Sequence, residues 1–170
     1  MPFRLETPRT FMREILGNDF EFLLEMMSDP EVMRYYPKPS TAKEVHELID
    51  RMRTCYRRDG FGLWLVVHRE AGYPLGRVGL VRQQVNGVDE VEVGYMIHRP
   101  FWRQGLATET ATAVRDYAFR DLRLPRVISL IRPENAASRG VARKLGMEVR
   151  GRWQHAGLEH LVFAVDPPPA

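Results

Sequence analysis

The chain has 170 residues, 44% hydrophobic and 28% charged, with a net charge of +3 and one cysteine. That size and balance suit one folded domain and exclude a fibrous or disordered chain, and a lone thiol excludes an internal disulfide framework. The N-terminus has no apolar core of signal-peptide type, and the longest apolar run, Leu63 to Val67, is far below the ~20 residues that span a bilayer, so a cytoplasmic protein without a membrane partner is expected.

In chain order, Leu5 to Arg13 reads as a strand or a pair of strands broken at Pro8. Asn18 or Asp19 can cap a helix through Phe20, Leu23, Leu24 and Met27, which share a face at helical spacing. Ser40 or Thr41 opens a second helix, with Val45, Leu48, Ile49, Met52 and Tyr56 on one side and Gly60 as its stop. Cys55 lies inside this helix and reads as a structural thiol. Three strands follow: Leu63 to His68, Arg77 to Val85, and, after the tight turn Asn86-Gly87, Val91 to His98. The last alternates strictly, Val91, Val93, Tyr95 and Ile97 on one face, Glu92, Gly94, Met96 and His98 on the other.

A helix from Leu106 to Leu122, a strand from Val127 to Ile131 and a helix from Ala136 to Leu145 come next, then strands Glu148 to Trp153 and His160 to Val165. Pro167 to Ala170 form a proline-rich tail, expected to be disordered, so the domain spans residues 1–166. This order predicts a mixed α/β sandwich with one right-handed βαβ crossover and not a doubly wound nucleotide fold.

Chemistry concentrates where the alternating strand runs through Arg99-Pro100-Phe101 into Trp102-Arg103-Gln104-Gly105-Leu106-Ala107-Thr108. A helix N-terminus presents unpaired N–H groups and the positive end of the backbone dipole, and so binds anions. Gly105 allows close approach, Ala107 avoids bulk, and Arg103 adds a permanent charge suited to phosphate. The five histidines show no metal-ligand spacing, so no metal is expected. Arginines are spread along the chain instead of forming a stripe, which argues against direct nucleic-acid binding. A local group, Arg132, Arg139, Arg143 and Lys144, surrounds the second late helix.

The run Glu92-Val93-Gly94-Tyr95-Met96-Ile97-His98, followed by Trp102 to Glu109, resembles the acetyl-CoA signature of the GNAT N-acetyltransferases. Leu5-Glu6-Thr7-Pro8-Arg9 with Arg13, and Asn135, Ser138, Lys144, Leu145, Gly146 and Met147, resemble the RimJ/RimL-type subgroup. The resemblance implies a mostly antiparallel sheet of about seven strands flanked by about four helices. It also implies acetyl-CoA as cosubstrate, an amine as acceptor, and the backbone of Met96, Ile97 and His98 beside the pantetheine arm. The amides of Arg103, Gln104, Gly105, Leu106, Ala107 and Thr108 would hold the diphosphate, Asn135 would meet the pantetheine, and Ser138 would lie near the thiol.

The same resemblance suggests Glu92 as general base, the alternative being a solvated glutamate on an exposed sheet face. The tyrosine that many relatives use as general acid is replaced by Ala142, leaving Ser138 as its substitute or as an ordinary helix-start serine. Arg139 and Arg143 sit on the polar side of a helix whose core face reads as Ala137, Val141 and Leu145; they reach the 3′-phosphate of coenzyme A or are solvated. An amine-acetylating enzyme leads two other readings, an acyl-CoA-binding regulatory module without turnover and a ribosome- or RNA-associated basic protein. The acceptor stays open among protein N-terminus, amino acid, polyamine and antibiotic, with Tyr35, Tyr36, Trp153 and His155 as its expected surroundings. A homodimer is compatible with all of these.

Overall fold

The computed structural model describes all 170 residues as one eight-stranded sheet with helices on both faces. Its strands are β1 (Arg4–Glu6), β2 (Thr10–Glu14), β3 (Leu63–His68), β4 (Pro74–Val85), β5 (Val88–Ile97), β6 (Val127–Ile131), β7 (Glu148–His155) and β8 (Leu158–Val165). The helices are α1 (Phe20–Ser28), α2 (Ala42–Asp59), α3 (Leu106–Arg120) and α4 (Ala136–Lys144). Spatial order is β1-β2-β3-β4-β5-β6-β8-β7, and every neighbouring pair is antiparallel except β5–β6. Eight strands stand where about seven were expected, because the break at Pro8 makes a hairpin of β1 and β2, with Leu5 opposite Met12.

Two hairpins are longer than the sequence suggests. β4 and β5 pair continuously around Asn86 (φ 50°) and Gly87 (φ 77°), the left-handed pair of a type I′ turn. β7 and β8 run to His155 and from Leu158, around Ala156 (φ 52°) and Gly157 (φ 76°). Alanine seldom adopts a positive φ, which hid this second turn.

Helix ends follow their side chains. Thr41 accepts from the Glu44 amide while Glu44 returns a bond to the Thr41 amide, a reciprocal box that starts α2, and Gly60 (φ 76°) stops it. Asp19 precedes α1 but does not cap it. Its carboxylate accepts from the Leu16 amide and takes both Nη atoms of Arg13 at 2.8 Å, so the Arg13 of the opening motif clamps the entry to α1.

The sheet separates two apolar cores. On one face Val91, Val93 and Ile97 of β5 pack with Ala111, Val114 and Ala118 of α3 and with Ala142 and Leu145 near the end of α4. On the other, Met96 joins Leu23, Met26 and Met27 of α1 and Val45, Leu48, Ile49 and Met52 of α2. Cys55 is buried in this second core, as its helical setting implied. The alternation read along β5 thus divides two covered faces. Met96 points to helices, because a sheet sandwiched between helix layers buries both sides.

Tyr56, late in α2, caps the end of the β2–β3 ladder: its hydroxyl accepts from the Ile15 amide at 3.0 Å and donates to the Leu63 carbonyl. Replacing it with phenylalanine leaves two poorly solvated backbone groups without partners. Tyr56→Phe is expected to lower stability by about 1–3 kcal/mol, read as a fall in the urea midpoint at unchanged slope.

Candidate active site

The site begins where β5 and β6 part. Their ladder consists of one registered pair, Glu92 with Ile128, after which the strands diverge. Two side chains close the vertex: the Ser129 hydroxyl donates to the Val93 carbonyl at 2.7 Å, and Glu92 Oε2 accepts from the Leu130 amide at 3.1 Å. Beyond them a cleft of about 500 Å³ opens between the far half of β5, the start of α3 and α4.

Antiparallel pairing decides which β5 groups face that cleft. The His98 amide donates to the Leu75 carbonyl at 2.8 Å, and His98 accepts from Phe101 at 2.9 Å. Hydrogen-bonded pairs alternate along a ladder, so Met96, opposite Arg77, also turns its backbone toward β4, while Tyr95 and Ile97 turn theirs toward the cleft. Of the three residues expected to offer consecutive backbone groups, only Ile97 turns its backbone toward the cleft, joined by Tyr95, whereas Met96 and His98 turn theirs toward β4. Met96 does line the cleft, but His98 does not; its ring is buried, with Nε2 at 3.5 Å from Glu25. The Ile97 carbonyl receives the Trp102 indole N–H at 2.7 Å.

At the turn, Arg103 (φ 62°) and Gly105 (φ 76°) both adopt left-handed backbone. No amide from Arg103 to Thr108 donates to a backbone carbonyl, and the first helical bond of α3 runs from Glu109 to Gly105 at 3.0 Å. Six successive N–H groups are thus available at a helix start, an arrangement that holds an anion through main-chain donors. Arg103, Gly105, Leu106, Ala107 and Thr108 line the cleft; Gln104 lies outside its lining, and its carbonyl accepts from Arg9 Nη1 at 2.7 Å. Arg9 also holds Glu109 through Nε at 2.6 Å and its amide at 2.9 Å, and Thr7 adds a hydroxyl donor at 2.7 Å. Burial alone would raise the Glu109 pKa, but these donors outweigh it and hold the carboxyl below its ordinary value. Its negative charge is therefore engaged by the N-terminal hairpin instead of opposing an anion at the turn.

On the opposite wall, Asn135 caps α4 by accepting from the Ser138 amide at 3.1 Å. Asn135 and Ser138 both line the cleft, and the Ser138 carbonyl receives the Tyr95 hydroxyl at 2.8 Å. Of the expected core face of α4, Leu145 is fully buried and Val141 packs against the core while also lining the cleft; only Ala137 departs from it, exposed at the cleft, and Ala142 is buried in its stead. Apolar side chains on a helix beside a ligand cleft serve the cleft as well as the core, and periodicity alone does not separate the two uses. Arg143 lies over the Phe163 ring, 6.0 Å from its centroid, and neither it nor Arg139 lines the cleft. The cations that do are Arg103, Lys144 and Arg34. Lys144 stood in the sequence as a motif residue and as one of the local cationic group, of which it alone lines the cleft.

Glu92 is partly buried at the vertex instead of solvated on an open face. Burial pushes its pKa up, against the lowering effects of Gln83 Nε2 at 2.9 Å, the Leu130 amide, and the charges of His160 and Arg77. Tyr95, missed because its alternation marked it as core, lines the cleft and bonds Ser138, with its phenol pushed well above its ordinary pKa by burial. His155 and His160 meet edge to face at 5.3 Å beyond Glu92, the pKa of each shifted downward chiefly by burial. Of the expected acceptor surroundings, Tyr35 and Tyr36 line the cleft and Trp153 and His155 do not.

The acetyltransferase (GNAT) domain family matches residues 9–148. YkkB of Bacillus subtilis (strain 168) is 33% identical over 85% of this chain and 84% of its own length. The N-acetyltransferase YnaD of the same strain is 27% identical over 86% of this chain and 84% of its own. The crystal structure of an acetyltransferase from Agrobacterium tumefaciens str. C58 superposes with a TM-score of 0.86, covering 98% of this chain and 96% of that one at 23% identity.

The raised pKa of Glu92 has a consequence for stability. Its folded value lies above the ordinary 4.5, so as pH rises through that window the unfolded chain releases its proton first. The folded state then loses stability relative to a variant that cannot titrate. Glu92→Gln, whose amide oxygen still accepts from Leu130, is expected to gain on the wild type as pH rises from below 4.5 to neutrality. Denaturant midpoints across that range check the sign, and a difference that shrinks with rising pH contradicts it.

Proposed function

The chain belongs to the GNAT acetyltransferase family, and on that footing we propose that it moves an acetyl group from acetyl-CoA to a primary amine by direct transfer. The observation that carries this reading is the run of six amides without backbone acceptors, from Arg103 to Thr108, at the mouth of a cleft opened by the parting of β5 and β6. These donors fit a diphosphate, and the cations of Arg103 and Lys144 fit the charge around it. The Tyr95 and Ile97 backbones offer an unpaired edge to an amide-bearing arm, with the Trp102 indole as the present partner of Ile97. Asn135 borders the same path.

Acetyl-CoA supplies a thioester whose acetyl carbon bonds the amine nitrogen as its C–S bond breaks. Glu92 accepts the proton that the amine nitrogen loses; because it stands at the vertex and not on the cleft wall, that proton travels through water. A pKa raised by burial suits it as a base, bringing it nearer the pH at which it works. The Ser138 hydroxyl, on the wall facing β5, donates to the departing sulfur and recovers its proton from solvent. Trapping the acyl group on Ser138 is not part of this scheme, since an aliphatic hydroxyl without an adjacent base is a poor nucleophile.

The opening and closing motifs resemble the RimJ/RimL-type subgroup, whose acceptors are protein α-amines; small amines fit the same chemistry. Cytoplasmic residence and a homodimer accord with this reading. A regulatory module that binds acyl-CoA without turnover would retain the turn but have no need of a base at the vertex.

Two measurements test the proposal. Gly105→Glu places a side chain and a negative charge at the turn, on a backbone with φ 76°, and should abolish acetyl-CoA binding in calorimetry; normal affinity would refute the cradle. Wild-type kcat/KM should fall on the acid side as Glu92 gains its proton. Glu92→Gln should lose that limb and drop the rate by about 10²–10⁴-fold, whereas an unchanged pH–rate profile rejects the base.

A further inference from the structure

Arg77 lies on β4 opposite Met96, and strand alternation puts it on the sheet face that also carries Glu92. It is only 9% exposed, and its Nε has no hydrogen-bond partner. Glu92 acts on it only through space, Arg51 adds a second positive charge nearby, and the side chain that reaches it is Tyr36. Arg13 and Arg126, by contrast, each have a carboxylate partner, in Asp19 and Glu90. Burying a guanidinium without its own carboxylate is strongly unfavourable unless something else meets it. Burial lowers the Arg77 pKa accordingly, yet a guanidinium keeps its proton at neutral pH.

Tyr36 and Met96 both line the cleft, and Arg77, opposite Met96 on β4, lies behind this part of its wall. Tyr95 lines the same cleft and its phenol bonds the Ser138 carbonyl, which joins this corner to the wall carrying Ser138. A planar fork of donors beside a phenol O–H is a receptor for a carboxylate. Resting on the acetyl-transfer reading, we propose that Arg77 and Tyr36 bind a carboxylate on the acceptor, which makes the acceptor a small amino acid and not a peptide α-amine. Arg77 is then a specificity-determining residue.

Thiol release from acetyl-CoA, measured with a panel of L-amino acids and their matching carboxamides, tests the assignment. Wild-type kcat/KM is expected to be at least about tenfold higher for the carboxylates. Arg77→Gln should raise KM for the amino acids by about 10- to 100-fold, leaving the KM for acetyl-CoA and the carboxamide kinetics unchanged. Calorimetry of the same pairs with the wild-type protein and coenzyme A should show the preference without any variant. Equal use of acids and carboxamides, exclusive use of peptide N-termini, or an equal loss on both classes in Arg77→Gln overturns the role of Arg77 and leaves acetyl transfer standing. No thiol release with any primary amine overturns both.

Discussion

Everything functional in this fold hangs on the interruption of one strand ladder. A sheet is stable because each interior strand satisfies the backbone groups of its neighbours. Here β5 and β6 do so at a single registered pair, Glu92 with Ile128, and then separate. The groups left over are not abandoned. Ser129 serves the Val93 carbonyl, Glu92 serves the Leu130 amide, and Trp102 serves the Ile97 carbonyl. The parting is held open by side chains that replace lost ladder bonds, and the cleft is the space between them. The carboxylate of Glu92 that closes the vertex is the same one whose pKa burial raises.

Electrostatics at two places around the cleft are arranged in opposite ways. At the α3 start, a carboxylate stands in the first turn, where it would compete with a bound anion for the same positive end of the helix. The N-terminal hairpin answers that charge with Arg9 and Thr7, leaving the turn's amides without a rival. Behind the wall at Met96 the imbalance is left in place: Arg77 is buried without an ion-pair partner. One place is neutralised from within the chain; the other awaits an external charge.

How far this was legible in the sequence depends on whether the information was local. Thr41 with Glu44, Gly60, Asn86-Gly87 and the spacing of Val45 to Met52 all act within a few residues, and helix, turn and core followed from them. The turn at Gly105 was readable for the same reason. What failed was information held in pairing. Which of Tyr95, Met96, Ile97 and His98 turns its backbone to the cleft is decided by the hydrogen-bond phase of β4 against β5, invisible in either strand alone. The face of α4 depended on a cleft as well as a core, so Ala137 read as buried. Arg77 looked like the polar start of a strand, and only its distance from any carboxylate ion pair gives it meaning.

The bond between Arg9 and Glu109 joins positions 100 residues apart in the chain. Contacts of that separation come late in folding, because a long loop must be closed before they form. α3 can wind and β4–β5 can pair by short-range contacts, but the turn at the start of α3 acquires its braces only when the first strands have docked. During synthesis the earliest residues made must wait for residues beyond the middle of the chain before this corner is complete. The ligand-binding turn is in this sense the closing stitch of the fold, so its integrity reports whether the whole chain, from first strand to third helix, has been assembled correctly.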